Sequence, residues 1–239
     1  FEVGQCAIPV LDLANKSAEL IASHIRNVLT NKDRCMISLA GGSTPKNTYL
    51  LLKEKNISWQ NVDILLGDER WVEPSSLSSN SLMIKETFLS NDSASKASFY
   101  PVPILDCKSP EESAEAYSQI IQKISVGVSP KLDIALLGLG DDGHTASLFP
   151  STESLTVKDC LTTVSNGKGH SRVTMTASFL STAQHILFLV SGESKQIALS
   201  RLLDTTESYI RTPAKLIQSF NPIEILADHE ASSLINKLQ

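Results

Sequence analysis

The sequence contains no apolar run approaching the roughly 18 residues that a membrane-spanning helix needs. Its plainest apolar stretches, Ile134 to Leu137 and Ile186 to Val190, have the length of buried strands, so the chain reads as soluble. Basic charge is also in short supply. Lys+Arg number 21 against 26 Asp+Glu, a formal net charge of -5, which supplies no field to gather a nucleic-acid backbone or an anionic membrane. Cysteine is sparse and scattered: Cys6, Cys35, Cys107 and Cys160 form no CxxC pair and are too dilute for a disulfide scaffold. They read as reduced packing residues and point to the cytosol. Absent too are a nucleotide P-loop, a GxSxG nucleophile elbow, HExxH and any cysteine-rich metal spacing, which leaves water as the expected nucleophile of any hydrolysis. No fixed-period repeat or low-complexity tract suggests a solenoid or a binding tail. Residues 1–10 lack the basic start and apolar stretch of a secretory leader, and the chain opens on Phe1 rather than Met, which fits processing or excision from a longer polypeptide.

What is present is a hydrophobic content of 41% over 239 residues, enough for one compact domain spanning 1–239 with a sizeable core. Runs rich in Ile, Val and Leu recur at Cys35 to Ala40, Val62 to Leu66, Leu132 to Leu137, Arg172 to Thr176, Ile186 to Val190 and Ile223 to Ala227, and are expected to be strands buried on both faces. Helical spacing marks Ser17 to Leu29, Pro45 to Lys55, Asn80 to Leu89, Glu111 to Ile124 and Ser194 to Leu203. The alternation predicts an α/β, Rossmann-like, mainly parallel β-sheet flanked by helices. Three polar stretches, Asn91 to Ser98, Ser151 to Lys158 and Ser165 to His170, read as surface loops, none long enough to be an interdomain linker.

In parallel α/β sheets ligands bind beyond the carboxyl ends of the strands, which directs attention to four strand exits. In Leu39-Ala40-Gly41-Gly42-Ser43-Thr44-Pro45 two glycines free the backbone, Thr44 is placed to cap a helix and Pro45 suits its first turn. Exposed amides, the helix dipole and the Ser43 and Thr44 hydroxyls make this an anion site. Leu66-Gly67-Asp68-Glu69-Arg70-Trp71 supplies Arg70, whose guanidinium can fork onto a phosphate. Leu137-Gly138-Leu139-Gly140-Asp141-Asp142-Gly143-His144-Thr145 matches GxGxxG formally, but Asp141 and Asp142 would face a pyrophosphate and Pro150 leaves little room for a following helix. The loop instead presents Asp142 and His144, a carboxylate two residues from an imidazole, which suits activation of a water molecule. Of the five histidines only His144 occupies a glycine-rich strand exit. The fourth exit, Val190-Ser191-Gly192-Glu193-Ser194-Lys195, sets Lys195 at a helix start, where the dipole disfavours a cation unless an anion offsets it. Arg172, at the start of another strand, is the remaining candidate cation. These residues describe a metal-free site for a phosphorylated small molecule.

Ala40 to Pro45, Gly67-Asp68-Glu69-Arg70, Ser79-Asn80 and the run Gly138 to Pro150 together resemble the lactonase branch of the glucosamine-6-phosphate isomerase/6-phosphogluconolactonase family, in order and over most of the chain. The resemblance implies hydrolysis of 6-phospho-D-glucono-1,5-lactone to 6-phospho-D-gluconate in the oxidative pentose phosphate pathway, with no metal or organic cofactor. It implies His144 as general base and Asp142 as its orienting partner. The Gly41, Gly42, Ser43, Thr44 loop with Arg70 and Lys195 would hold the phosphate, and Arg172 would lie near the substrate. The deaminases of the family carry an acidic residue before the proline that ends the last motif, whereas Phe149 precedes Pro150 here. A deaminase-type enzyme and a non-catalytic sugar-phosphate sensor are the alternatives; a sensor would have no need of Asp142 and His144. The expected partner is a phosphorylated sugar lactone, with a fusion to, or association with, glucose-6-phosphate dehydrogenase left open.

Overall fold

The computed structural model describes residues 6–8, 10–90, 93–125 and 127–235; side chains are described from residue 12 onward, so that of Cys6 lies outside them. In chain order the elements begin with β1 (Cys6–Ile8), α1 (Val10–Leu29), β2 (Cys35–Leu39), α2 (Ser43–Leu52), β3 (Val62–Leu66), β4 (Asp68–Arg70), α3 (Asn80–Thr87) and β5 (Ser98–Tyr100). They continue with α4 (Pro110–Ile124), β6 (Ile134–Gly138), β7 (Thr162–Gly167), β8 (His170–Met175), α5 (Ala177–Leu180), β9 (His185–Val190), α6 (Gln196–Leu203), β10 (Glu224–Asp228) and α7 (His229–Ser232).

The apolar runs of β2, β3, β6, β9 and β10 carry no polar alternation because both faces are covered by helices. They join β1 and β5 in one seven-stranded sheet of order β1-β10-β9-β6-β2-β3-β5, in which every pairing is parallel. All carboxyl ends therefore lie on the same edge. From β2 the chain steps through β3 to β5 on one side, and from β6 through β9 to β10 on the other, so the winding reverses between β2 and β6. Such a switch point opens a crevice that loops alone can line.

Helix α1 starts at Val10, ahead of the predicted Ser17, because Leu13 and Ala14 extend the buried stripe of Ala18, Ile21, Ala22 and Ile25. Ser17 is internal, its hydroxyl donating to Leu13 O at 2.6 Å, rather than a cap. The stripe packs into a continuous core with Ile37, Ile64, Leu136 and Leu187, all fully buried. Each such side chain contributes about 1.5–3 kcal/mol of transfer free energy, offset largely by chain entropy. Among the described residues no helix is long and apolar enough to cross a membrane.

One predicted strand and one predicted loop belong elsewhere. Arg172 to Thr176 does not join the central sheet; β8 lies in a separate three-stranded antiparallel sheet of order β4-β8-β7. Ser165 to His170 is the end of β7 and its hairpin turn into β8, not a free loop. β7 is polar and carries no hydrophobic period, and β8, though expected as a strand, pairs with β7 across a hairpin and with the distant β4, not with the central sheet. The Asn91 to Ser98 stretch holds a 3-10 turn at Ala94–Lys96 and the first residue of β5, although residues 91 and 92 lie outside the described set. Within Ser151 to Lys158 another 3-10 turn, Glu153–Leu155, is anchored by buried Ser154 and Leu155.

Candidate active site

At the exit of β2 the backbone is fixed by Tyr49, a fully buried residue of α2 whose hydroxyl accepts from Ala40 N at 3.0 Å and donates to Ala40 O at 2.8 Å. Helix α2 then begins at Ser43, earlier than the predicted Thr44 cap, with Gly42 as the capping residue at φ 108. That left-handed conformation suits glycine, and no side chain caps the helix. The first-turn amides of Ser43 and Thr44 thus lack a capping side chain, at the positive end of the dipole, beside a cleft of about 240 Å³. The Asn80 carboxamide packs against Gly41 and donates to Asp68 O at 2.9 Å, bracing the loop from α3.

Across the switch point, the β6 exit turns sharply. Gly140 N donates to His144 O at 2.8 Å, and Thr145 Oγ1 donates to Gly138 O at 2.8 Å. The His144 ring lies against Gly140, where a Cβ would fall 2.7 Å from the ring Cγ and closer still to Nδ1 and Cε1. His144 Nδ1 is 2.5 Å from Asp142 Oδ1, which also accepts from the His144 amide at 3.1 Å. Burial works to raise the Asp142 pKa, but the hydrogen bonds and charge of His144, with Lys168, outweigh it and hold the carboxyl well below the usual range. An ionised carboxylate only accepts, so Nδ1 carries the proton and Nε2 of the neutral ring is left basic. The ring also meets Phe149, with centroids 4.5 Å apart and the planes tilted by 42°.

The small antiparallel sheet forms a further wall. Arg172, on β8, stretches through the buried interior with its guanidinium 5.2 Å from the Phe149 ring centroid. Its Nε donates to Gly167 O at 3.1 Å, and Nη1 lies 3.5 Å from Asp68 Oδ2. Burial lowers the Arg172 pKa, with Asp68 opposing that shift and Arg70 adding to it. Asp68 is itself fixed by Ser147, whose hydroxyl donates to Oδ2 at 2.5 Å. Arg70 donates through Nη1 to Ser78 O at 2.6 Å, while its Nε is buried with no partner among the described residues. Glu69, the third charge of β4, points away from this chemistry: it accepts from Ser79 Oγ and from the amides of Asn80 and Ser81, and so caps α3.

At the β9 exit Asp228 accepts from Ser191 Oγ at 2.5 Å and from Gly192 N at 3.0 Å, while capping α7 through Ala231 N. This carboxylate locks the loop that delivers Lys195. Lys195 ends a 3-10 turn and caps α6, and its ammonium has no hydrogen-bonding partner among the described residues.

Gly41, Gly42, Ser43, Thr44, Arg70, His144, Arg172 and Lys195 all line the one cleft, although they come from four strand exits and a second sheet. Asp142 stands behind His144 instead of lining it. Sequence reasoning assigned no site role to Asp68, Asn80, Ser147, Lys168 or Asp228. Asp68 and Asn80 sat in recognised motifs, but Lys168 and Asp228 carried no local signal. Lys168, in the β7–β8 turn, places Nζ 2.9 Å from Asp141 Oδ1 and 3.3 Å from Asp142 Oδ2. Donor atoms of Asp141, Asp142 and His144 lie within 4.8 Å of one another, but that ammonium already neutralises the carboxylates, so the cluster is a set of ion pairs. A second cluster, His24, His185 and Glu224, has its imidazoles stacked at 3.9 Å, so their in-plane lone pairs run side by side and do not converge on an ion.

Comparison with known proteins gives concordant matches. Residues 11–224 match the family described as glucosamine-6-phosphate isomerases/6-phosphogluconolactonase. A 6-phosphogluconolactonase of Nostoc sp. is 36% identical over 224 residues, covering 92% of this chain and 93% of the relative. The crystal structure of a 6-phosphogluconolactonase from Shewanella baltica superposes with a TM-score of 0.86 at 28% identity, over 95% of this chain and 98% of that one. A monomeric glucosamine-6-phosphate deaminase shares the fold, with a TM-score of 0.80 at 22% identity over 98% of this chain and 100% of that one.

Proposed function

Because the chain belongs to the glucosamine-6-phosphate isomerase/6-phosphogluconolactonase family, we propose that it hydrolyses 6-phospho-D-glucono-1,5-lactone to 6-phospho-D-gluconate, with His144 activating the water. The observation that carries this reading is the Asp142–His144 pair, with its Nδ1 contact of 2.5 Å, in a cleft that also holds an uncapped helix N-terminus. Nε2 takes a proton as water adds to the lactone carbonyl, and the imidazolium formed is stabilised by ionised Asp142. Collapse of the tetrahedral intermediate breaks the bond to the ring oxygen, which recovers that proton from Nε2. Positive charge and amide dipoles favour the oxyanion, and Arg172 is the cation best supported against Phe149 for that task. The Ser43 and Thr44 amides and hydroxyls, Arg70 with its unpartnered Nε, and Lys195 hold the phosphate.

The residue before Pro150 separates this reading from a deaminase. Phe149 is only 5% exposed and packs at a tilt against His144, so no proton-transferring group stands at that position. The test is lactone hydrolysis in mildly acidic buffer, where the spontaneous reaction is slow, with glucosamine 6-phosphate assayed in parallel for ammonia. His144→Ala is expected to lose about 10²- to 10⁴-fold in turnover. Ammonia release in place of lactone turnover would establish the deaminase chemistry, and binding without either product a sensor.

A further inference from the structure

The turn that joins β7 to β8 is built in an unfavourable way for a purely structural hairpin. Gly167 pairs with His170, leaving a two-residue loop of Lys168 at φ 52 and Gly169 at φ 81. Asn or Gly normally fills the first of those positions, because a long side chain is disfavoured in left-handed backbone. Lys168 nevertheless occupies it, and the conformation aims its ammonium at the His144 loop, where it contacts both Asp141 and Asp142. The base of the hairpin is registered on the same loop. Gly167 packs close against the Phe149 ring, where a Cβ would fall 2.7 Å from Cγ and nearer still to Cδ2 and Cε2, and that ring also meets His144.

One carboxylate thus joins two partners: Asp142 Oδ1 holds His144 Nδ1, and Asp142 Oδ2 faces Lys168 at 3.3 Å. We infer that Lys168 is a positioning residue, which fixes the Asp142 carboxylate against His144 and, through its charge, keeps the imidazole from becoming too basic to lose its proton. The Asp141 hydrogen bond, against some burial and with help from Asp142, holds the Lys168 pKa above its ordinary value, so the ammonium stays charged throughout the working range. The other charged groups around the dyad are Asp141 on its own loop, Lys195 after β9, Arg70 and Asp68 on β4, and Arg172 on β8. None of these bridges to the Asp142 carboxylate by a hydrogen bond among the described residues. Removing Lys168 leaves the Asp142 carboxylate less neutralised beside the ring, which favours imidazolium over the neutral base in the variant.

This inference rests on His144 being the base, and the experiment separates the two. Lys168→Gly suits the left-handed turn and removes only the side chain; Lys168→Arg retains the charge. In Lys168→Gly the thermal midpoint is expected to be unchanged or higher, KM unchanged, and the acidic limb of kcat/KM displaced upward by about half a pH unit at low salt. Lys168→Arg is expected to return the limb towards the wild-type position. An NMR titration of the labelled His144 ring in the free protein should rise by a similar amount, with or without lactone turnover. A ring titration in Lys168→Gly that superimposes on the wild type overturns the inference. So does a loss of activity that comes with a lower thermal midpoint and an unmoved pH profile. A shifted ring titration in a protein that does not hydrolyse the lactone would uphold the electrostatic link and refute the proposed reaction.

Discussion

Gly140→Ala tests whether the placement of His144, and not merely its presence, sets the rate. A methyl built on Gly140 would lie 2.7 Å from His144 Cγ, with Nδ1 and Cε1 nearer still. Ordinary carbon contacts begin at about 3.5 Å, so the ring has to withdraw by roughly 0.8 Å or more, in the direction that strains its bond to Asp142. A displacement of about 1 Å at a reacting group costs on the order of 10²-fold, and loss of the orienting bond adds to it. We therefore expect kcat to fall by about 10²- to 10³-fold. The phosphate loop after β2 is untouched, so affinity for 6-phosphogluconate should stay within about threefold. Stability should fall by about 0–2.6 kcal/mol, since a gain of about 0.4–1 kcal/mol from the stiffer unfolded chain only partly offsets an overpacking cost of about 1–3 kcal/mol. The assay is initial-rate lactone hydrolysis with the spontaneous rate subtracted, alongside calorimetric titration of product. A Gly140→Ala enzyme that turns over within a factor of three of the wild type would refute the argument that this glycine exists to seat the imidazole.

Three further outcomes follow from the same geometry. Lys195→Ala should weaken binding of the phosphorylated lactone by about 1.5–3 kcal/mol, the worth of a charge-assisted hydrogen bond, and leave hydrolysis of the dephosphorylated lactone unaltered; equal harm to both substrates would remove Lys195 from the phosphate site. Ser79→Ala deletes the hydroxyl that caps α3 at Leu82 N and binds Glu69, and chemical denaturation should show a loss of about 0.5–2 kcal/mol. For Asp142 the native pKa is depressed, so its contribution to stability is complete above the unfolded value of about 3.9 and is lost as pH falls through the lower native value. The wild type should accordingly be more stable than Asp142→Asn near neutrality, and calorimetry should show the two converging on acidification.

Much of the architecture was legible because its causes are local. The unbroken apolar runs of β2, β3, β6 and β9 could only be strands covered on both sides, and the helices between them made the sheet parallel. Asp68-Glu69-Arg70 and Thr162–Gly167 were illegible for the opposite reason: they have no hydrophobic period, and their strand character comes from backbone pairing with β8. Even the α2 start shifted from the sequence expectation, since a glycine at φ 108 serves as the cap without any side-chain hydrogen bond.

The sequence by itself determined the parallel α/β plan, the strand exits that bear the chemistry and the motifs that tie the chain to its family. Those depend on residue type and spacing over a few neighbours. Only the tertiary structure decided how the charges divide. It turned Glu69 towards the α3 amides, set Asp68 against Ser147 and Arg172, locked the Lys195 loop with Asp228, and brought Lys168 to the Asp142 carboxylate. A charged side chain carries the same local signal whether it caps a helix, pairs with another charge or faces a ligand. What distinguishes these roles is the set of partners that long-range packing places within hydrogen-bonding reach.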